Sequence, residues 1–392
     1  DTTAGGTSHA ILGWGNKKIN QSIIDQLEKF SHVDYKMWSD PNVEKLSNLL
    51  LSMSSHNLDR VYYSGNSGTE ACESAMKMSY QAHYDNGFKN KKWFISRNQS
   101  YHGATSDALS IGERPNLKFY DPMLSPYRKK IAMHHPLYLK KDNESLDQYA
   151  KRSAKQLEEA ILDIGADNVS AFIGETIMGG LVGDVPPAPN YWKYIRNVCD
   201  KYNIHLILDE IYCGTGTTGK IYCCDWDGVK PDFILLGKTL AAGYGALSAV
   251  ITNRKIEEII KKGQGRLQQT STHQAHSLSI AAALSVQSII HNEEFLNNVL
   301  AKSKKFKDTL HSELKNHPFY LDLRGRGLRF SLEHKADNNI SFSNYLQSTM
   351  FDKHSIIINS KWHRTCFSPS LLLTDSQIDF ILEKFIDTFK KY

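Results

Sequence analysis

From about residue 60 to 290, short apolar, β-branched runs alternate with stretches in which apolar side chains recur every three or four residues. The runs at 60–64, 93–97, 169–174, 205–209, 233–237 and 249–252 are near-continuous, which is the pattern of strands covered on both faces. Strands alternating with helices predict an α/β fold, with a mostly parallel central sheet flanked by helices. Ahead of this region, 19–30 reads as an amphipathic helix. Behind it, 278–290, 293–316 and 375–392 carry helical periodicity, while 324–333 and 355–359 read as strands. The chain ends are therefore expected to build a smaller α+β domain from residues 1–38 and 288–392, beside a large domain at 39–287.

Composition narrows the function classes. The net charge of +5 comes from 47 basic and 42 acidic residues spread along the chain, without the single-sign blocks of a nucleic-acid arm. Cys72, Cys199, Cys213, Cys223, Cys224 and Cys366 lack the paired spacing of a disulfide framework or a CxxC metal site, which fits reduced thiols in a cytosolic protein. No apolar stretch approaches the roughly 20 residues that span a bilayer, and the N-terminus has no signal-like apolar core. A cytoplasmic protein without nucleic-acid or membrane partners is the expectation. The first residue is Asp1 and not methionine, which leaves room for an upstream segment.

In parallel sheets ligands gather at the carboxyl ends of the strands, so the residue after each run is the one to examine. The first run leads into Ser64-Gly65-Asn66-Ser67-Gly68-Thr69-Glu70 and then a helix. Exposed amides at that helix start suit a phosphate, with hydroxyls from Ser67 and Thr69; an ordinary N-cap with Ser67–Glu70 capping-box spacing is the other reading. The second run leads to Tyr101-His102-Gly103, where an aromatic ring can stack on a planar heterocycle or simply pack. The run 204–208 delivers Asp209-Glu210. A carboxylate ending so apolar a strand needs a cation or a donor, either a protonated pyridine nitrogen or a structural salt bridge. The run 233–236 delivers Gly237-Lys238-Thr239, and an ammonium at the mouth of an apolar sheet is pushed toward the neutral amine that carbonyl chemistry requires. Phosphate cradle, stacking ring, carboxylate and amine at successive strand ends are what a phosphorylated pyridine aldehyde would need.

Two motifs point elsewhere. Gly214-Thr215-Gly216-Thr217-Thr218-Gly219 matches G-x-G-x-x-G, yet it runs into the aromatic segment 220–228 where a dinucleotide site should open a helix. Leu236-Gly237-Lys238-Thr239 resembles the end of a P-loop, but the motif's first glycine would fall at Asp232. His134-His135 and the Cys223-Cys224 pair lack partners at ligand spacing, so no metal is assigned.

With these residues in place, the chain resembles a class III (ω-) aminotransferase of pyridoxal-phosphate fold type I over nearly its whole length. Ser67-Gly68-Thr69-Glu70-Ala71-Cys72-Glu73 is similar to that family's SGSEANE, Tyr101-His102-Gly103 to its YHG, and Leu208-Asp209-Glu210-Ile211 to its strand-end DEV. Gly237-Lys238 resembles the cofactor lysine and Arg324-Gly325-Arg326-Gly327-Leu328 the RGxGL of the small domain. The segment 269–276 resembles the one whose threonine reaches the phosphate of a neighbouring subunit. Asp209 precedes Lys238 by 29 residues and Thr272 follows it by 34, spacings similar to the family's.

The resemblance implies pyridoxal 5'-phosphate held as a Schiff base on Lys238, which is both anchor and general base, and an amino group exchanged between an amine or amino acid and a 2-oxo acid or aldehyde. It implies that Ser67, Gly68 and Thr69 hold the phosphate, with Thr272 completing it across a homodimer interface. Tyr101 and Ile211 would flank the ring, Asp209 keep its nitrogen protonated, and His102 and Glu175 support the pocket.

The sequence departs from the family where substrate is chosen. Ala104 stands where some branches place a carboxylate-binding arginine after YHG, and Asn359 and Cys366 occupy a later arginine's place, with Arg364 nearby. Tyr212 replaces a glutamine. Trp38 and Arg364 are the candidate substrate residues. An aminomutase or decarboxylase of the same fold, or a nucleotide-binding protein, are the alternatives.

Overall fold

The apolar runs become strands within one residue of the expected bounds, in a computed structural model that describes the chain apart from residues 54–56, 114 and 337 and the side chains of 115–117 and 339. The strands of the central sheet are β1 (Arg60–Gly65), β2 (Trp93–Arg97), β3 (Arg128–Ile131), β4 (Val169–Glu175), β5 (His205–Asp209), β6 (Phe233–Leu236) and β7 (Ser248–Thr252). Their order is β1-β7-β6-β5-β4-β2-β3. β7 runs antiparallel to both of its neighbours and the remaining pairs are parallel. The pattern does not show β3. Its Arg-Lys-Lys-Ile sequence carries one apolar residue because it lies at the sheet's edge, where charged side chains stay solvated.

The helices are α1 (Lys17–Leu27), α2 (Pro41–Ser52), α3 (Gly68–Asp85), α4 (Ser106–Ile111), α5 (Pro136–Leu139), α6 (Leu146–Ile164), α7 (Tyr191–Lys201), α8 (Arg254–Lys262), α9 (Ser277–Ile290), α10 (Glu293–Leu314), α11 (Asn339–His354) and α12 (Asp375–Lys390). Successive strand residues feed opposite layers. Ile207, Phe233 and Leu235 pack with the α3 residues Ala71, Ala75 and Met78, while Leu206, Leu208 and Ile234 join a core with Leu157 of α6 and Ile195 of α7. Small buried residues on α3, among them Ala71, Cys72, Ser74 and Ala75, let that helix approach the sheet closely.

The C-terminal unit is an antiparallel sheet of β8 (Tyr320–Arg326), β9 (Arg329–His334), β10 (Asn359–Lys361) and β11 (Arg364–Phe367), in the order β10-β11-β9-β8. Two expectations need correction. The single strand expected at 324–333 is a hairpin, turned at Gly327 (φ +53), whose added Cβ would lie 2.4 Å from the Thr218 backbone. The strand expected at 355–359 is present only from Asn359, because Ser355 caps α11 in the left-handed region (φ +55) and the next residues lead the chain out of the helix. The first dozen residues join this unit. Thr2 donates to the Ile357 carbonyl (2.9 Å) and accepts from the Ser368 amide (2.9 Å), and the Ile11 carbonyl accepts from Leu371 (2.8 Å). α1 packs on α9, which runs without a break through residue 287.

Candidate active site

The carboxyl ends of β1, β2, β4, β5 and β6 open on one edge of the sheet, and a cavity of about 580 Å³ lies there. It is lined by Ser67, Gly68, Thr69, Tyr101, His102, Glu175, Asp209, Ile211 and Lys238, so nine of the candidate residues meet in one place. A larger cleft of about 710 Å³ around Arg196 and Asp232 lies at the opposite ends of β5 and β6 and contains none of them.

The turn after β1 is built around Glu70. Its carboxylate accepts from the Asn66 amide (2.7 Å), the Ser67 amide (2.8 Å) and the Ser67 hydroxyl (3.2 Å). Gly68 and Thr69 then open α3, where the first amides of a helix have no intrahelical acceptor and attract anions. Gly68 must lack a side chain: a Cβ there would sit 2.6 Å from Ile211 Cδ1. Gly237 is nearly as tight, 3.2 Å from Ile211 Cγ2. Ile211 is thus wedged between the anion-binding turn and the lysine loop.

Asp209 ends β5 and is 4 % exposed. His102 Nδ1 lies 2.8 Å from its Oδ2, and the Ile211 amide donates to its Oδ1 (3.0 Å). His102 Nε2 is buried without a partner among the described residues, as is Oε2 of Glu175. Burial pushes the Glu175 carboxyl up to about 7, the nearby Asp209 adding to the push and His102, Arg97 and Lys238 opposing it. Glu210, by contrast, points away into structure. Its carboxylate accepts from the Cys223 and Cys224 amides (2.7 Å each) and the Thr176 hydroxyl (3.0 Å).

Lys238 follows Gly237 directly and takes φ +30, a strained backbone for a residue with a Cβ. Its amine lies 5.4 Å from the Tyr212 ring centre. Burial lowers its pKa below the ordinary lysine value; Asp209 and Glu175 oppose this, while Arg329 reinforces it.

Three candidates stand outside this cavity in the single chain. Thr272 is exposed and its carbonyl accepts from His32 Nε2 (2.9 Å). Trp38 is 67 % exposed. Arg364 is buried and donates to the Leu181 carbonyl, with its guanidinium 5.5 Å from the Trp362 ring centre. Sequence reading overlooked several groups beside the site. Arg97, buried at the end of β2, donates to the Glu175 carbonyl. Arg329 and Asp184 sit behind Tyr212, and Thr7, Ser8 and His9 form a wall. For Arg329 the available signal is a charged residue opening an apolar strand; for the N-terminal wall there is none.

The segment after Gly219 forms a turn and a short 3-10 helix at Cys223–Trp226, not the α-helix a dinucleotide fingerprint should open. Among the described residues no three His, Cys, Asp or Glu side chains are placed to hold a metal ion, and no helix is long and apolar enough to cross a membrane.

These elements fit pyridoxal phosphate: an anion-binding helix start kept open by Gly68, orphaned buried polar atoms on His102 and Glu175, and a buried amine. The chain matches the family described as Aminotransferase class-III over residues 1–389. It is 31% identical over 97% of its length to an uncharacterized aminotransferase of Schizosaccharomyces pombe, covering 86% of that protein. It is 30% identical over 98% of its length to a taurine–pyruvate aminotransferase of Rhodobacter capsulatus, covering 85% of it. The ω-transaminase of Pseudomonas jessenii in complex with PMP superposes on the whole chain with a TM-score of 0.93, 27% identity and 88% of its own length covered. The chain belongs to the class III aminotransferase family, as a pyridoxal-phosphate-dependent enzyme of fold type I.

Proposed function

We propose that this aminotransferase works through Lys238 as covalent anchor and proton carrier, on an amino donor of the ω-amine kind and a 2-oxo acid or aldehyde acceptor. The observation that carries the assignment is the position of the Lys238 amine: half-buried just beyond β6, on a strained backbone, in a cavity where four other strands end. When bound, pyridoxal phosphate supplies an electron sink beside the carbon that carries the amino group. Ser67, Gly68 and Thr69 would hold its phosphate, Tyr101 and Ile211 its ring faces, and Asp209, fixed by His102, its pyridine nitrogen. Lys238 moves the proton at the substrate carbon.

The donor class is supported by the lining. Among the described residues of the cavity wall there is no arginine, and Arg324 and Arg364 are turned to the carbonyls of Val182 and Leu181. A donor whose far end is uncharged therefore meets Ser8, Tyr212, Asn359 and Ser368 without an unmatched charge. We assign the protein to a homodimer in which Thr272 serves the partner's site, consistent with its exposure and its absence from the lining of its own cavity, and to the cytoplasm, consistent with six buried thiols outside any disulfide.

The test is spectroscopic. The purified protein with pyridoxal phosphate should show a visible absorption band that borohydride abolishes while fixing the cofactor to Lys238, and a panel of amines should bleach the untreated form. A colourless protein, or the same band in Lys238→Ala, would sink the assignment. Thr272→Ala in one subunit, mixed with Lys238→Ala in the other, should raise activity above the mean of the two parents, because one site of each mixed dimer then holds both residues.

A further inference from the structure

A cation that the family motifs do not name sits directly behind the site. Arg329 opens β9 and is 0 % exposed. Its Nε donates to the Tyr212 carbonyl (3.1 Å) and its Nη2 to the Ser8 carbonyl (2.8 Å). Its Nη1 is buried without a partner, and it makes no ion pair among the described residues. A guanidinium taken from water with no contacting carboxylate is costly.

The Tyr212 ring links this charge to the lysine. The guanidinium carbon lies 4.9 Å from the ring centre and the Lys238 amine 5.4 Å from the same point. The ring is held in place by its hydroxyl, which donates to Asp184 (2.7 Å); the other Asp184 oxygen accepts from Ser331 (2.5 Å). Asp184 is itself buried at φ +53. A permanently charged guanidinium and the lysine amine thus share one ring.

We propose that Arg329 is a positioning residue for Lys238, a buried guanidinium behind Tyr212 that holds the lysine side chain in its neutral, nucleophilic form. This rests on the assignment of Lys238 as the cofactor anchor. The groups facing the amine are Asp209, Glu175, Cys213 and His9, besides Arg329. Those facing Arg329 are Tyr212, Asp184 and Cys213. Asp209 and Glu175 favour the charged amine, and Arg329 opposes them. The arrangement lets Asp209, and Glu175 when it is ionised, stand beside the lysine without keeping it protonated.

The test uses the chain stripped of cofactor. Pyridoxal phosphate is added across a pH series with cyanoborohydride. The neutral amine adds to the aldehyde carbon, water leaves, and hydride from the reductant fixes the new C–N bond. Peptide mass spectrometry then measures the rate at Lys238. In Arg329→Met the midpoint of that rate against pH should rise by roughly one unit, and Arg329→Lys should return it. Asp184→Asn removes the carboxylate that offsets the guanidinium, so its midpoint should fall. This opposite sign keeps the proposal testable even where Arg329→Met does not fold. Unmoved midpoints in the variants, or a changed KM for the carboxylate acceptor alone, overturn the proposal. No adduct on wild-type Lys238 at any pH overturns the anchor assignment as well, whereas an adduct with unmoved midpoints overturns this proposal alone.

Discussion

Glu175 and Asp209 are direct register partners at the ends of β4 and β5, yet the two carboxyls differ in their partners. Asp209 has His102 at 2.8 Å and a backbone amide at 3.0 Å, while Glu175 Oε2 is buried without a partner among the described residues. One carboxyl is bound by a side chain and an amide, and burial pushes the other toward its protonated form.

The first prediction follows from Glu175. Its folded-state pKa is raised to about 7, above the ordinary glutamate value, so the folded protein holds a proton that the unfolded chain releases. Stability of the cofactor-free protein therefore falls as pH rises from about 4.5 to 7. Glu175→Gln should remove that slope and gain about 1–3 kcal/mol at pH 8 but little at pH 4. Urea unfolding at the two pH values measures it; equal gains at both would contradict the assignment.

A second prediction concerns the Asp209–His102 pair. Asp209→Asn keeps the shape and loses the charge, and should lower kcat by about 10²–10⁴-fold while the fold is retained. His102→Gln should act through Asp209 alone, with a loss of about 10–100-fold that appears also as faster cofactor release. Stopped-flow kinetics and cofactor dialysis distinguish the two; a larger loss in the histidine variant would reverse the assigned hierarchy.

Gly68 offers a steric test. An alanine there meets Ile211 Cδ1 at 2.6 Å and should cost about 1–3 kcal/mol with weakened cofactor binding. Ile211→Ala in the same chain removes the obstructing atoms, so the double variant should recover part of the loss. Additive costs would show that the two residues do not touch in the way described.

Glu210 is expected to matter to stability. Removing its carboxylate in Glu210→Ala strands the Cys223 and Cys224 amides and the Thr176 hydroxyl in a dry interior, at about 2–4 kcal/mol. The effect should be read in thermal unfolding, with bound-cofactor spectra unchanged in whatever fraction stays folded.

What could be read from the sequence follows from which forces are local. The runs that became β1, β2, β4, β5, β6 and β7 are apolar enough on both faces to specify buried strands by themselves, and the residues ending them inherit their place from the sheet. Lys238, Asp209 and the Ser67–Glu70 turn were legible for that reason. β3 was not, because an edge strand needs no apolar pattern. The small sheet was misjudged at Gly327 and Ser355, where single positive-φ residues redirect the chain. Arg329 betrays itself only as a charge opening an apolar strand, and Asp184 and the Thr7–His9 wall not at all, because contacts with distant parts of the chain place them.

The first dozen residues, pinned to Ile357, Ser368 and Leu371, form a wall of the cavity that closes only against strands near residues 357–371. Contacts of such sequence separation are the last that a growing chain can make. Until almost all of this sequence has been synthesised, the strand ends that would hold the cofactor stand open to water on the Ser8 side. That side of the cavity is thus completed only when the two ends of the sequence meet.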